Sequence, residues 1–241
     1  MYFLRHTQEK SHFFHKIDRK GTIFFRNYQI YQKKIVTLHP FFVKKIMNDV
    51  KKVAIYCASS TKIRPEFFSA ARQLGKIFAE KKITMVFGGG NMGLMGEMAD
   101  AMMEDNGQFI GVIPQFMIEQ DWHHKQCAEL VITADMSERK QTIERISDAF
   151  AALPGGIGTM DELFECMVDK QLGLHAKPII ILNTGGYYDG LVALLDQMIK
   201  EQMMRPVFGS MFQVVNTPEE VLPAIWNMPE WDRNARKNAK I

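Results

Sequence analysis

A glycine-rich turn followed by two acidic residues is the part of this sequence best suited to chemistry on a phosphorylated compound. The turn lies in Pro154-Gly-Gly-Ile-Gly-Thr-Met-Asp-Glu162, directly after the short apolar run of residues 149–153. Glycines carry no Cβ and can adopt positive φ, so their backbone N–H groups can converge on an anion. A helix beginning at Thr159 would direct its dipole at the same point. The pattern predicts a phosphate site with Asp161 and Glu162 beside it.

The same turn also has a purely structural interpretation. Thr159 as an N-cap, with Glu162 three residues later, would form a capping box that needs no ligand. Under the functional interpretation, the helix dipole favours the ionised form of Glu162 by about 0.3–1 kcal/mol. An ionised carboxylate beside a sugar can stabilise oxocarbenium character or take a proton from water.

Cations are clustered in Met136-Ser-Glu-Arg-Lys140. The planar guanidinium of Arg139 is suited to clamping a phosphate or sugar hydroxyls, and Lys140 would act as a point charge. The alternative is a solvated helix face. His123, His124 and His175 are not spaced as metal ligands, so we expect no metal site.

A second glycine motif, Gly88-x-Gly90-x-x-Gly93, follows another apolar run and matches the dinucleotide fingerprint. The next strand ends in Ile113-Pro114-Gln115 and lacks the acidic residue that would bind the ribose. A mononucleotide site shared with the turn at residues 154–162 therefore fits better, and tight packing of helix on strand is the structural alternative. The turn at residues 154–162 has Thr159-Met160 in place of the Gly-Lys-Ser/Thr ending of a Walker A loop, which disfavours phosphoryl transfer with Mg²⁺.

The elements that position these residues alternate between strands and helices. This alternation predicts βαβ units in one α/β domain with a Rossmann-like, doubly wound parallel sheet. Ligands of such sheets bind beyond the carboxyl ends of the strands, where Ser59 and both glycine turns fall, so all three should line one cleft. We expect strands at residues 52–58, 83–87, 109–113, 129–133, 149–153, 178–182 and 212–215, with helices between them.

Composition narrows the class of protein. The 241 residues are 46% apolar and 24% charged, which is ordinary for a globular protein, and no apolar run approaches the ~20 residues of a membrane span. Three widely spaced cysteines predict neither a disulfide framework nor a metal site, which favours the cytoplasm.

Residues 1–46 carry a net charge of +8 and residues 47–241 a net charge of −5, so nucleic-acid binding by the body is not expected. We expect residues 1–46 to be a basic extension that is disordered or not native, and residues 47–241 to form the domain.

Five motifs together resemble the LONELY GUY family of phosphoribohydrolases. They are Gly88-Gly-Gly-Asn-Met-Gly-Leu-Met-Gly96, Met136-Ser-Glu-Arg-Lys140, Pro154-Gly-Gly-Ile-Gly-Thr-Met-Asp-Glu162, Gln171-Leu-Gly-Leu-His-Ala-Lys-Pro178 and Leu182-Asn-Thr-Gly-Gly-Tyr-Tyr-Asp189. The likeness covers about residues 52–225 in order and spacing, and the motif set is highly specific.

The resemblance implies hydrolysis of the N-glycosidic bond of adenine-type nucleoside 5′-monophosphates, with cytokinin riboside 5′-monophosphate or AMP giving a free base and ribose 5-phosphate. It also implies a homodimer with sites completed near the subunit interface, and no cofactor. Arg139 and Glu162 match the catalytic pair of the family. The candidate substrate-binding residues are Ser59, Gly90, Gly93, Asp121, Lys140, Gly155, Gly156, Ile157, Gly158, Thr159, Met160 and Asp161.

The sequence departs from the family pattern at three places. Asp121 stands where plant members have a substrate-contacting Glu, Asp161 replaces a commoner Glu, and Val168-Asp169 replaces a frequent Thr-Trp. Many relatives carry a lysine decarboxylase label, but nothing in the sequence indicates the lysine that pyridoxal phosphate would need. Two alternatives stay open: a non-enzymatic nucleotide or cofactor carrier on the same fold and, less favoured, an NAD(P)-dependent enzyme.

Overall fold

A computed structural model describes residues 50–127 and 129–232. The predicted basic extension of residues 1–46, and the predicted start of the domain at Met47, lie outside the described residues. Within the described part of the chain, no helix is long and apolar enough to cross a membrane.

The described residues are built around a parallel sheet of seven strands. These are β1 (Lys52–Tyr56), β2 (Thr84–Phe87), β3 (Phe109–Pro114), β4 (Glu129–Thr133), β5 (Ala149–Ala152), β6 (Ile179–Leu182) and β7 (Gln213–Val215). Their order in the sheet is β4-β3-β2-β1-β5-β6-β7, and every neighbouring pair is parallel. The prediction of a doubly wound α/β fold is therefore confirmed.

Helices cover both faces of the sheet and make two apolar cores. The helices are α1 (Pro65–Glu80), α2 (Gly93–Glu104), α3 (Gln115–Glu119), α4 (Met136–Ile146), α5 (Ile157–Gln171), α6 (Asp189–Lys200) and α7 (Pro218–Asn227). Side chains of α1, α2 and α7 pack on one face of the sheet, and those of α4, α5 and α6 pack on the other. Alternate residues of β1 enter the two cores, with Val53 in the first and Ala54 in the second. Because both faces are covered, the strands read as continuous apolar runs.

The chain leaves β1 in one direction across the sheet and returns beside it at β5. Strands β2, β3 and β4 extend on one side of β1, and β6 and β7 extend on the far side of β5. A crevice forms at the carboxyl ends of the strands where such a reversal occurs. The segments that follow β1, β2 and β5 therefore meet at this crevice.

The start of α5 differs from the sequence-based prediction. The helix begins at Ile157, and Gly156 is its N-cap, with φ −87° and ψ −157° and no capping side chain. The suggested capping box of Thr159 with Glu162 is therefore wrong, because Thr159 already lies inside the helix. A capping box does form at the start of α7, between Thr217 and Glu220.

Positive φ was another expectation for the turn before α5. None of its glycines adopts it; the positive values near the crevice are those of Gly89 and Gly93, at +71° and +62°. Gly155 is needed for a different reason, because the side chain of Thr159 fills the space that a Cβ would take.

Candidate active site

A cavity of about 570 Å³ opens at the carboxyl ends of the central strands. The segment after β1 contributes Ser59, the turn after β2 contributes Gly88 and Gly90, and the first turns of α5 close another side. The prediction that these three segments line one cleft is confirmed. The predicted site residues in the lining are Ser59, Gly90, Arg139, Gly156, Ile157, Gly158, Thr159, Asp161 and Glu162.

Arg139 and Glu162 form a buried ion pair in the wall of this cavity. Arg139 Nη1 donates to Glu162 Oε1 at 2.9 Å, and each side chain is only about one-tenth exposed. Arg139 Nε donates to the backbone carbonyl of Val112 at 3.1 Å. A Cβ on Gly88 would overlap Nη2 of the same guanidinium. Hydrogen bonds to a carbonyl on β3 and to the carboxylate on α5 therefore hold the guanidinium in place. The absence of a side chain at Gly88, directly after β2, leaves room for it.

The protonation of Glu162 is set by two opposing influences. Burial raises the pKa of Glu162, because a charged carboxylate loses its hydration inside the protein. The adjacent Arg139 lowers the pKa of the same carboxyl, and the balance leaves it above the usual range for glutamate. Asp161 raises it slightly further, and Lys140 acts in the opposite sense.

The first turn of α5 presents backbone N–H groups to the cavity. The first backbone hydrogen bond of the helix runs from Met160 N to Gly156 O at 3.1 Å. Within the described ranges, the N–H groups of Gly156, Ile157 and Gly158 have no protein acceptor. A Cβ at Gly156 or Gly158 would meet nothing within 4 Å, so the protein's own packing does not require glycine at either position. This arrangement of free amides at a helix N-terminus, open to approach, suits an anion.

Three predicted site residues lie outside the lining because they pack against it. Gly93 lies so close to the backbone of Ala58 and Ser59 that no side chain fits there. Gly155 is buried behind Thr159, and Met160 is half-buried beside the second core.

The two remaining predicted residues are charged groups engaged elsewhere. Lys140 makes ion pairs with Asp161 at 3.0 Å and Glu165 at 2.9 Å. Asp121 is exposed, has a φ of +61° and pairs with Lys125 four residues later. The structure thus places both outside the cavity lining.

An apolar wall is the part of the site that sequence reasoning missed. Four methionines and one tryptophan line the cavity together with Ile113: they are Met92, Met95, Met117, Met136 and Trp122. None of the sequence motifs indicates a function for these apolar residues. The signal was present in the sequence, since Met92 and Met95 flank Gly93 at the carboxyl end of a predicted strand. Hereafter we call these six residues the apolar wall.

Other reactive groups near the cavity have no comparable arrangement. Burial raises the pKa of the Cys57 thiol at the end of β1, which leaves it protonated and a poor nucleophile. Across residues 50–127 and 129–232, no three His, Cys, Asp or Glu side chains are grouped to hold a metal ion.

Comparison with protein families gives a match over more than half of the chain. Residues 95–225 match a family model described as "Possible lysine decarboxylase". Decarboxylases that use pyridoxal phosphate need a lysine at the cofactor to form a Schiff base. No lysine is present among the described residues that line the cavity. The residues at this site therefore do not fit that cofactor.

The names of curated relatives state an activity more specifically than the description of the family model does. The chain is 40% identical over 169 residues to a probable cytokinin riboside 5′-monophosphate phosphoribohydrolase of Oryza sativa subsp. japonica, covering 70% of this chain and 74% of the rice protein. It is 38% identical over 157 residues to a cytokinin riboside 5′-monophosphate phosphoribohydrolase of Arabidopsis thaliana, covering 65% and 72% of the two chains.

Solved structures share the fold at lower identity. The molybdenum cofactor binding protein of Rippkaea orientalis superimposes with a TM-score of 0.56 at 19% identity, over 73% of this chain and 95% of that chain. A molybdenum cofactor (Moco) carrier protein of Chlamydomonas reinhardtii gives 0.56 at 20% identity over the same shares. At these identities the likeness supports the architecture alone.

Proposed function

Because the chain belongs to the LONELY GUY family of phosphoribohydrolases, we propose that it hydrolyses the N-glycosidic bond of an adenine-type nucleoside 5′-monophosphate. The products are the free base and ribose 5-phosphate. The observation that carries the proposal is the buried ion pair of Arg139 and Glu162 in the same cavity as the free amides of α5. An acid held in this way can act on a sugar whose phosphate is bound one helical turn away.

The phosphate is bound by the amides of Gly156, Ile157 and Gly158. Their N–H groups have no acceptor among the described residues, and the helix dipole adds to their attraction for a dianion. Glu162 follows on the same helix and lines the same cavity. A phosphate at the amides therefore brings C1′ of the ribose towards the carboxylate, and Arg139 orients the sugar hydroxyls.

The reaction adds water across the bond between C1′ and the purine nitrogen. As that bond breaks, the purine leaves with the electron pair and positive charge develops on the ribose. The ionised carboxylate of Glu162 stabilises this charge and takes a proton from the attacking water, whose oxygen bonds to C1′. The departing base takes up a proton, so the sum is one water consumed for each base released.

The apolar wall favours a base with an apolar N6 substituent over unmodified adenine. Methionine side chains are flexible and polarisable, and they adapt to ligands of irregular shape. Each buried CH₂ contributes about 0.8 kcal/mol to binding, so an isoprenyl group against this wall gains affinity that AMP does not. We therefore expect isopentenyladenosine monophosphate to be hydrolysed with a higher kcat/KM than AMP.

Incubating the purified protein with AMP and with isopentenyladenosine monophosphate tests both points. Free base should be released from at least one nucleotide, and faster from the isoprenylated one. Well-folded protein that releases base from neither would disprove the proposed activity. A higher kcat/KM for AMP would leave the activity standing and remove the assigned role of the apolar wall.

A non-enzymatic carrier on the same fold is the alternative. Carrying a nucleotide requires the amides of α5 but gives no reason to bury Glu162 beside Arg139. Tight retention of the nucleotide without products would favour the carrier.

A homodimer is supported by the exposed face of α5. Ile157, Val168 and Leu172 lie on one side of the helix and are 90%, 50% and 41% exposed, and Leu174 follows at 68%. Ile157 also lines the cavity, so a second copy on this face would close one side of the site. Sedimentation should show a dimer that Val168→Glu converts to a monomer. Val207→Glu, at another exposed apolar residue, is the matched control and should leave the dimer intact.

The cytoplasm is the compartment that the thiols favour. All three cysteines lie within the described residues and are free, and two of them are buried. Free thiols persist in a reducing compartment. Cell fractionation with an antibody to the native protein tests this location.

A further inference from the structure

The hydroxyl of Tyr187 is bonded to the backbone of the turn that precedes α5. Tyr187 Oη donates to the carbonyl oxygen of Gly155 at 2.6 Å. Tyr187 lies after β6, 32 residues further along the chain, and it does not line the cavity. Its hydroxyl therefore acts on the site through Gly155 and not by touching a ligand.

The planarity of the peptide group links this hydrogen bond to the phosphate site. In a trans peptide, the carbonyl of one residue and the N–H of the next point in opposite directions. Tyr187 holds the carbonyl of Gly155, so the N–H of Gly156 points away from Tyr187. Gly156 lines the cavity, and its N–H has no acceptor in the described part of the chain. The tyrosine thus fixes the direction of a free amide on a residue that lines the cavity.

The position of Tyr187 is itself well supported. A short 3-10 helix, Thr184–Gly186, precedes it, with positive φ at Gly185 and Gly186. The ring of Tyr187 packs edge-on against Phe67 at 5.5 Å and against Tyr188 at 4.9 Å. Removing the hydroxyl alone would leave these ring contacts in place.

The neighbouring tyrosine makes the same kind of bond with a different consequence. Tyr188 Oη donates to the carbonyl of Leu153, also at 2.6 Å, and the side chain is buried. The residue after Leu153 is Pro154, which has no N–H to orient. Tyr188 therefore supports the turn without directing an amide into the cavity.

We propose that Tyr187 is a positioning residue for the substrate phosphate, because its hydroxyl fixes the Gly155–Gly156 peptide with the N–H of Gly156 directed at the anion. This role rests on the proposed function, in which the phosphate is bound at the first turn of α5. Without the hydroxyl, the peptide can rotate, and one donor to the phosphate is lost for part of the time. The effect should fall on phosphate binding and not on the chemistry at C1′.

The test compares Tyr187→Phe with Tyr188→Phe, each of which loses one hydroxyl and one hydrogen bond to a carbonyl. Calorimetry gives the Kd of ribose 5-phosphate, inhibition gives the Ki of adenine, and steady-state assays with the nucleotide give kcat and KM. For Tyr187→Phe we expect the Kd of ribose 5-phosphate and the KM to rise roughly 3- to 10-fold. The Ki of adenine should not change, and kcat should change by less than about twofold. For Tyr188→Phe we expect a lower melting temperature and an unchanged Kd.

Two results would overturn the inference. One is a Tyr187→Phe variant that binds ribose 5-phosphate as tightly as the wild type. The other is an equal loss of affinity in both variants, or an equal loss for adenine and ribose 5-phosphate, since either would indicate a general loosening of the turn. Wild-type protein that binds ribose 5-phosphate but releases no base would disprove the proposed reaction, and the two variants would still decide the role of Tyr187. Wild-type protein that does not bind ribose 5-phosphate would disprove both.

Discussion

Arg139 Nη1 lies 2.9 Å from Glu162 Oε1, and the two side chains meet between α4 and α5 with about one-tenth of each exposed. Burying a charge pair with so little hydration costs desolvation free energy, and removing one partner leaves the other charge unpaired. This geometry makes sense if the carboxylate is needed ionised and largely dehydrated at the cavity wall. The expected effects of Glu162→Gln, of pH and of Gly88→Ala all follow from this ion pair.

Glu162→Gln should bind the nucleotide nearly as well as the wild type and lose turnover. The amide keeps the shape of the side chain but cannot stabilise a cation or take a proton, so kcat should fall by about 10²–10⁴. Equilibrium binding of nucleotide and single-turnover assays measure the two effects separately. Glu165→Gln is the control, because Glu165 pairs with Lys140 outside the cavity and should keep its kcat. A Glu162→Gln variant that hydrolyses normally would show that the role is assigned wrongly.

The pH dependence of kcat should report the raised pKa of Glu162. The ionised form is active, so kcat falls as the pH drops through this pKa, and the midpoint should lie above the ~4.3 of free glutamate. Asp161→Asn removes a negative neighbour and should move the midpoint to lower pH. Lys140→Met removes a positive neighbour and should move it to higher pH. The substrate phosphate titrates in the same way with every variant, so it cannot shift the midpoint from one variant to another. Equal midpoints for Asp161→Asn and Lys140→Met would therefore contradict the assignment of this pKa to Glu162.

Gly88→Ala should displace the guanidinium of Arg139 without straining the backbone. Gly88 does not have a positive φ, but its Cβ would overlap Nη2 of Arg139. Because a displacement of about 1 Å in an active site can lower the rate ~10²-fold, we expect kcat to fall by one to two orders of magnitude. Gly190→Ala is the control, because Gly190 is exposed on α6 and its Cβ would meet nothing within 4 Å. This variant should keep the kcat of the wild type. Wild-type kcat in Gly88→Ala would mean that the position of Arg139 is not critical.

Gly158→Ala should separate stability from binding. The Cβ meets nothing within 4 Å, and alanine favours the helix over glycine by about 0.5–1 kcal/mol, so the free energy of unfolding should rise. The same methyl group obstructs the approach of a phosphate to the first turn of α5, so KM should increase. Denaturant titration and steady-state kinetics measure the two quantities.

Gly155→Ala provides the contrast to Gly158→Ala. Its Cβ would overlap the side chain of Thr159, so the variant should be destabilised. A Gly158→Ala variant with an unchanged KM would indicate that the phosphate is bound elsewhere.

Lys170→Met should stabilise the protein, and more so at low pH. The Lys170 side chain is 1% exposed, and Nζ donates to the carbonyl of Lys177 at 2.9 Å; burial lowers its pKa to about 7. In the unfolded chain the lysine keeps its proton up to about pH 10.4. The unfolded state therefore binds more protons between pH 7 and pH 10, so wild-type stability rises with pH in that window.

The variant lacks this contribution to the pH dependence. Its free energy of unfolding should exceed that of the wild type by about 4 kcal/mol at pH 6, and this difference should shrink towards pH 10. Urea titrations at pH 6 and pH 9.5 measure the difference. An equal gain at both pH values would show that the lysine is charged in the folded state throughout.

Patterns that act locally could be predicted from the sequence. The alternation of apolar runs with helical spacing determines a parallel sheet, and βαβ connections bring the segments after β1, β2 and β5 to one edge. The meeting of Arg139 and Glu162 was suggested only by resemblance, because it depends on how α4 and α5 pack. Burial of Lys170 could not be predicted either, since a lysine in the last turn of a helix is ordinarily a solvated cation that favours the dipole.

The start of α5 was mispredicted for a physical reason. Thr159 and Glu162 have the spacing of a capping box, but Gly156 adopts the extended N-cap conformation without a capping side chain. The amides of this turn have no protein acceptor among the described residues, and the proposed phosphate binding would use such unsatisfied donors. The role of Tyr187 was hidden for a related reason, because a hydroxyl and a carbonyl 32 residues apart leave no periodic signal.

The apolar wall carries a chemical liability along with its affinity for apolar groups. Thioethers are oxidised to sulfoxides, which are polar and chiral, and Met92, which lines the cavity, is half exposed. Oxidation of that side chain would place a strong dipole in the wall that we propose to contact an isoprenyl group, and it would leave the carboxylate of Glu162 chemically unchanged. Oxidative stress would thereby blunt discrimination between nucleotides before it abolishes catalysis, and methionine sulfoxide reductases would restore it.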